Sequence, residues 1–83
     1  MALVTLETEA AEQLLALPER IKARVTGIIA RLESWPEVSG AKPLRGDLAG
    51  HYRIGTGDYR VQFRVQGEEV IIERMGHRDG FYE

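Results

Sequence analysis

The stretch Tyr59-Arg60-Val61-Gln62-Phe63-Arg64-Val65-Gln66 decides the fold. Successive side chains of a β-strand point to opposite sides, so Tyr59, Val61, Phe63 and Val65 share one face and Arg60, Gln62, Arg64 and Gln66 the other. One face suits a core; the other is polar and rich in arginine. On either side of the stretch, Gly57-Asp58 and Gly67-Glu68 are two-residue linkers of the kind that close tight antiparallel hairpins. They join it to strands over His51–Thr56 and about Glu69–Met75, which gives a three-stranded meander. In the first of these the same alternation sets Tyr52 and Ile54 on the apolar face and Arg53 on the polar one.

Towards the amino terminus the period changes from two to 3.6. Ile21, Val25, Ile28, Ile29 and Leu32 recur as one helical stripe, with Arg20, Lys22, Arg24 and Arg31 falling elsewhere. This predicts a helix from Pro18 to about Ser34, with proline in its first turn, where it costs no intrahelical hydrogen bond, and Trp35-Pro36 at its end. Before it, Thr8 can cap a helix running to about Leu17, with Glu9 and Glu12 near the positive end. Ala2–Leu6 is an apolar run that fits an opening strand. Helices joined by so short a link form an antiparallel hairpin whose apolar face needs the sheet as its partner. The expectation is an α+β fold in one domain over residues 1–83. An N-terminal strand, a helical hairpin, a turn-rich connection over Val38–Gly50 and the meander follow in order, with both helices on one face of a single sheet.

Composition sets limits on function. No residue is cysteine, so there is no disulfide framework or thiolate zinc site, and two histidines without a carboxylate cluster make little case for a metal. Nothing resembles a basic region followed by a long apolar run, and no apolar stretch approaches the ~20 residues a bilayer requires, so a soluble cytoplasmic protein is expected. The net charge of −2 is unusual for a nucleic-acid binder. Its distribution matters more: residues 1–41 carry four basic and six acidic side chains, residues 42–83 seven of each.

Two helices cover one face of a sheet, which leaves the face of Arg53, Arg60 and Arg64 open. Arginines on a wet sheet face serve solubility and cross-strand pairing in many antiparallel sheets. Arginine is also the residue best matched to phosphate, and residues 42–83 use six Arg and one Lys. Both uses remain open on patterning alone.

In order and spacing, Lys42-Pro43-Leu44-Arg45-Gly46, then Tyr52-Arg53-Ile54, then Gly57-Asp58-Tyr59-Arg60-Val61-Gln62-Phe63-Arg64-Val65, then Gly76-His77-Arg78 and Tyr82 resemble the RelE/ParE superfamily of bacterial toxins, RelE-type members above all. The resemblance implies the toxin of a type II toxin–antitoxin system, partnered by a cognate antitoxin, which enters the ribosome and cuts mRNA. It implies metal-free transesterification by the 2′-hydroxyl, with no cofactor. Carried over by position, Arg53 matches a basic site on the first hairpin strand, Arg60 and Arg78 the two phosphate-stabilising arginines, and Tyr82 a C-terminal tyrosine that acts as base or stacks on substrate. His77 is a candidate proton donor, since imidazole titrates near neutral pH. Lys42, Arg45 and Arg64 are candidate RNA-backbone contacts. Gly55 departs from the pattern, standing where a second basic residue is expected. The ParE branch shares this scaffold and poisons DNA gyrase instead, and a degenerate toxin acting as corepressor with its antitoxin is a further alternative.

Overall fold

The structure, a computed structural model, describes residues 1–81. Strand β1 (Leu3–Leu6) leads into helix α1 (Thr8–Ala16) and helix α2 (Glu19–Leu32). A short strand β2 (Lys42–Pro43) and a 3₁₀ turn (Gly46–Leu48) precede the meander of β3 (His51–Thr56), β4 (Tyr59–Gln66) and β5 (Glu69–His77), and a 3₁₀ turn over Arg78–Phe81 follows. The sheet has five strands in the order β1-β5-β4-β3-β2, with β1 parallel to β5 and the other pairs antiparallel. Gly57 and Gly67 turn the two hairpins at φ of 58° and 59°, a region where a Cβ is penalised.

The helical stripe meets the alternating strand as the periodicities demand. Val25, Ile28 and Leu32 of α2 bury against Val61 and Phe63 of β4, together with Ile54, Val70, Ile72 and Met75, while Ile21, Ile29 and Val65 pack partly buried around them. Trp35 closes this core edge-on to Tyr52 and Phe63, with ring centroids 4.7 and 5.3 Å away. Tyr59 does not join the buried cluster. It pairs with Thr56 at the tight turn, at the end of the sheet, and stands edge-on to His77 at 5.4 Å.

Local expectations change at several junctions. Glu7, not Thr8, holds the N-cap position of α1 and makes no side-chain cap bond, because its carboxylate is drawn across to Arg64, 2.9 Å away. Pro18 is the N-cap of α2 rather than a residue of its first turn, and the helix closes at Leu32. Part of the Val38–Gly50 connection is a strand, since Lys42 and Pro43 pair with Arg53 and Tyr52. Beyond the end of β1, the exposed edge of β5 is satisfied by α1, as the Met75 amide donates to Gln13 Oε1 at 2.7 Å.

One irregularity governs the open face. Across β4 and β5, Phe63 pairs with Ile72 and Gln62 with Arg74, so Glu73 is an extra residue, a β-bulge. Strict alternation after the core residue Ile72 would turn Arg74 under the helices and Met75 out. The bulge resets the register, putting Met75 in the core at 3% exposure and Arg74 on the open face.

Candidate functional site: the open face of the sheet

Register alone assembles a row of polar side chains across the strands. Lys42 on β2 faces Arg53 on β3, Arg53 faces Gln62 on β4, and Gln62 faces Arg74 on β5. The adjacent row is Gly55, Arg60 and Gly76, so Arg60 stands between two residues without side chains. At the β2–β3 end the face sinks into a cavity of about 420 Å³ whose lining includes Lys42, Arg53, Gly55, Gly57, Arg60 and Phe81. Among the described residues none of its three cations lies in ion-pair reach of a carboxylate. Among the described residues the positive charge of the pocket is therefore uncompensated, which suits an anion.

Arg60 is held in place by its own turn, its Nη1 donating to the carbonyls of Gly57 and Tyr59 at 2.9 Å each. Gly55 makes this possible. A Cβ at position 55 would fall 2.6 Å from Arg60 Nη1 and 3.0 Å from its Cδ and Cζ, so the guanidinium occupies the volume that any side chain there would need. Gly55 is the bed on which Arg60 lies rather than a vacant basic position.

Arg53 is fixed from two directions. Its Nε donates to Gln62 Oε1 at 3.1 Å, and its guanidinium lies over the Phe81 ring, 5.1 Å from the centroid. Arg74 covers the same ring at 4.2 Å and reaches the same Gln62 oxygen at 3.5 Å. Two glutamates, Glu69 and Glu73, lie nearby in the strand, yet among the described residues Arg74 meets a neutral amide, the Gly80 carbonyl at 3.5 Å and an aromatic ring rather than a carboxylate. Phe81 is 6% exposed, so the carboxyl-terminal turn is docked on the open face as far as residue 81, where the spacing of Gly76 and Gly80 suggests a segment with few contacts. Phe81 was not legible in the sequence, where one aromatic beside Tyr82 carries no signal of burial against two cations.

Beneath the row lies an anionic counterpart. Glu73, projecting from the bulge, accepts from His51 Nδ1 at 2.7 Å, Gln62 Nε2 at 3.2 Å and Arg64 Nη1 at 3.0 Å, and Arg64 also holds Glu7. Burial works against the Glu73 charge, but the hydrogen bonds from His51, Gln62 and Arg64 outweigh it and hold the carboxyl below its ordinary range. Hydrogen bonds to Glu7 and then to Glu73 raise the pKa of Arg64 in turn. By holding Gln62 Nε2, Glu73 also fixes which end of that amide faces the arginines. Gln62 is 6% exposed with both ends of its amide engaged. His51, to which the sequence assigns no special part, is a member of this network.

The remaining sequence-derived candidates lie around the rim. Arg78 is exposed beside the β3–β4 turn, its amide donating to the Asp58 carbonyl and its Nε 3.8 Å from Asp58 Oδ1. His77 is exposed, with Nδ1 3.4 Å from Asp79 Oδ2. Arg45 is exposed just before the 3₁₀ turn of Gly46–Leu48. Arg64 is on the open face but already paired with two carboxylates. Tyr82 lies outside the described residues.

Residues 4–80 match the sequence model of the ParE toxin of the type II toxin–antitoxin system parDE. Toxin RelG of Mycobacterium tuberculosis is 36% identical over 81 residues, covering 95% of this chain and 93% of RelG. The toxin–antitoxin complex RelBE2 of the same organism contains a chain that superposes with a TM-score of 0.79 at 35% identity, covering 93% of this chain and 91% of that one. The isolated RelE toxin of E. coli shares the fold, with a TM-score of 0.79 at 18% identity over 93% of this chain and 84% of its own. The signature residues on the meander, the helices on one face of a five-stranded sheet and these likenesses agree, and the chain belongs to the RelE/ParE superfamily of type II toxins, in its RelE branch.

Proposed function

We propose that this toxin acts, as one domain over residues 1–83, as a ribosome-dependent mRNA endoribonuclease that is neutralised by a cognate antitoxin. The carrying observation is the cavity on the open sheet face, where Lys42, Arg53 and Arg60 converge without a carboxylate partner among the described residues. The substrate's 2′-oxygen attacks the adjacent phosphorus, the bond to the 5′-oxygen breaks, and a 2′,3′-cyclic phosphate and a 5′-hydroxyl result. Charge builds on the phosphorane oxygens, and preorganised cations stabilise it most where they need not move. Arg60, immobilised on two carbonyls, and Arg53, fixed on Gln62 and Phe81, fit that role, with Arg78 joining from beyond the Gly57-Asp58 turn. Tyr82 takes the 2′-hydroxyl proton or stacks on the substrate, and His77 delivers a proton to the leaving oxygen. The chemistry requires no cofactor. Lys42 at the cavity and Arg45 before the Gly46–Leu48 turn grip the RNA backbone, and a phosphate reaches Arg64 only in competition with Glu7 and Glu73.

Support for an antitoxin partner comes from relatives solved as toxin–antitoxin complexes. The acting place is then the cytoplasm, where ribosomes translate. Purified protein added to ribosomes holding a defined mRNA should yield new 3′ ends bearing cyclic phosphate. Intact mRNA at saturating toxin, with DNA gyrase supercoiling inhibited instead, would replace this reading with the ParE-type one.

A further inference from the structure

We propose that Arg74 is a substrate-binding residue, the far member of a phosphate-binding row that makes the RNA strand cross the sheet perpendicular to its β-strands, from β2 towards β5. The inference rests on the nuclease reading for the identity of the strand and on the register for the rest. Lys42, Arg53, Gln62 and Arg74 follow one another as register neighbours across four strands, and adjacent strands lie about 4.8 Å apart. The row thus spans roughly 14 Å with three cations, two within the cavity lining and Arg74 beyond it.

Three features argue that Arg74 is there for an anion rather than for packing. A bulge at Glu73 turns it outward from a register that would otherwise bury it. Its acceptors are both neutral, Gln62 Oε1, shared with Arg53, and the Gly80 carbonyl, each at 3.5 Å, and among the described residues neither arginine has a carboxylate within ion-pair reach. The same bulge residue spends its own carboxylate on His51, Gln62 and Arg64. A glutamate in place of Gln62 would satisfy both cations and cancel their attraction for phosphate; the amide holds them and leaves their charge intact. Phe81 completes the arrangement. Both guanidinium carbons lie over its ring, Arg53 at 5.1 Å and Arg74 at 4.2 Å from the centroid, and the acceptors that hold them are neutral, so the charge of each is kept for the paired oxygens of a phosphodiester. Gln62 and Phe81 are positioning residues, and Lys42, Arg53 and Arg74 are the contacts.

The test is equilibrium binding of a 2′-O-methyl single-stranded RNA, which cannot be cleaved, to the full chain over a series of salt concentrations, with thermal unfolding of every variant in parallel. Each phosphate contact on a single strand contributes about 0.7 to the slope of log affinity against log salt. Arg74→Ala should lower the slope by about 0.7 and weaken binding several-fold. Arg74→Lys should keep the slope, since it keeps the charge. Phe81→Leu should weaken binding with the slope little changed, because it disturbs positioning without removing a cation. A slope unchanged in Arg74→Ala, where Arg53→Ala lowers it, would overturn the row while leaving the nuclease reading intact. So would a wild type that binds no free RNA yet cleaves on ribosomes. A wild type that neither binds RNA nor cleaves mRNA would remove both.

Discussion

Replacing Gly55 separates the chemistry of this face from its stability. In Gly55→Ala the new Cβ would meet Arg60 Nη1 at 2.6 Å and Cδ and Cζ at 3.0 Å, while position 55 itself has no positive φ and asks nothing unusual of the backbone. The clash is with the far end of a flexible side chain, so Arg60 swings off its bed and the strands stay. The loss is then the two hydrogen bonds to Gly57 and Tyr59, shared by one partly exposed nitrogen, about 1 kcal/mol in total and ~4–8 °C in Tm for a domain of this size. The rate suffers far more, since removal of a preorganised charge donor costs roughly 10²-fold or more. Single-turnover cleavage of ribosome-bound mRNA, alongside thermal unfolding, measures both. Gly55→Lys, which on sequence grounds restores a missing cation and speeds the reaction, is expected here to slow it, because the lysine stem takes the space of Arg60. A faster Gly55→Lys enzyme, or a Gly55→Ala enzyme as fast as wild type, would refute the idea that Arg60 acts from this bed.

Other perturbations address the core, the network and the site. Phe63→Ala empties a fully buried position at the centre of the core and should cost about 3–5 kcal/mol, enough to unfold much of a marginal domain, as denaturant titration would show. Glu73 is held below its ordinary carboxyl range, so its network adds stability that is fully present above the unfolded-state value of about 4.3 and is lost as pH falls through the lower folded-state value. Glu73→Gln should flatten the fall of Tm between neutral and strongly acidic pH; an unchanged slope would mean that the His51, Gln62 and Arg64 bonds do not favour the charged form. Arg60→Ala, Arg78→Ala and Tyr82→Phe should each slow saturated cleavage by about 10²-fold with little effect on ribosome affinity. Arg45→Ala should do the reverse, weakening binding and its salt dependence while sparing the saturated rate.

The alternation of Tyr59–Gln66 and the stripe of Ile21–Leu32 were sufficient, without any tertiary information, to place two helices on one face of a sheet and Arg53, Arg60 and Arg64 on the other. Periods of 2.0 and 3.6 are backbone properties, and a side chain's face follows from its position in the chain. The family resemblance likewise sits in short linear segments. What lay beyond the sequence came from contacts between residues far apart in it. The parallel pairing of β1 with β5 joins the first strand to the last, and no local pattern specifies a partner at that separation. The bulge at Glu73 hides in Val70-Ile71-Ile72, where three consecutive apolar residues erase the alternation that would reveal a register change. From that single extra residue follow the outward turn of Arg74, the inward turn of Met75 and the carboxylate that orients Gln62. Phe81 finds its place only once two strands have brought Arg53 and Arg74 within reach of one ring, and Gly55 has a purpose only when Arg60 folds back across the hairpin to lie on it. Faces are set by local geometry; neighbours are set by which strands pair and in what register, and the chemistry of this sheet depends on its neighbours.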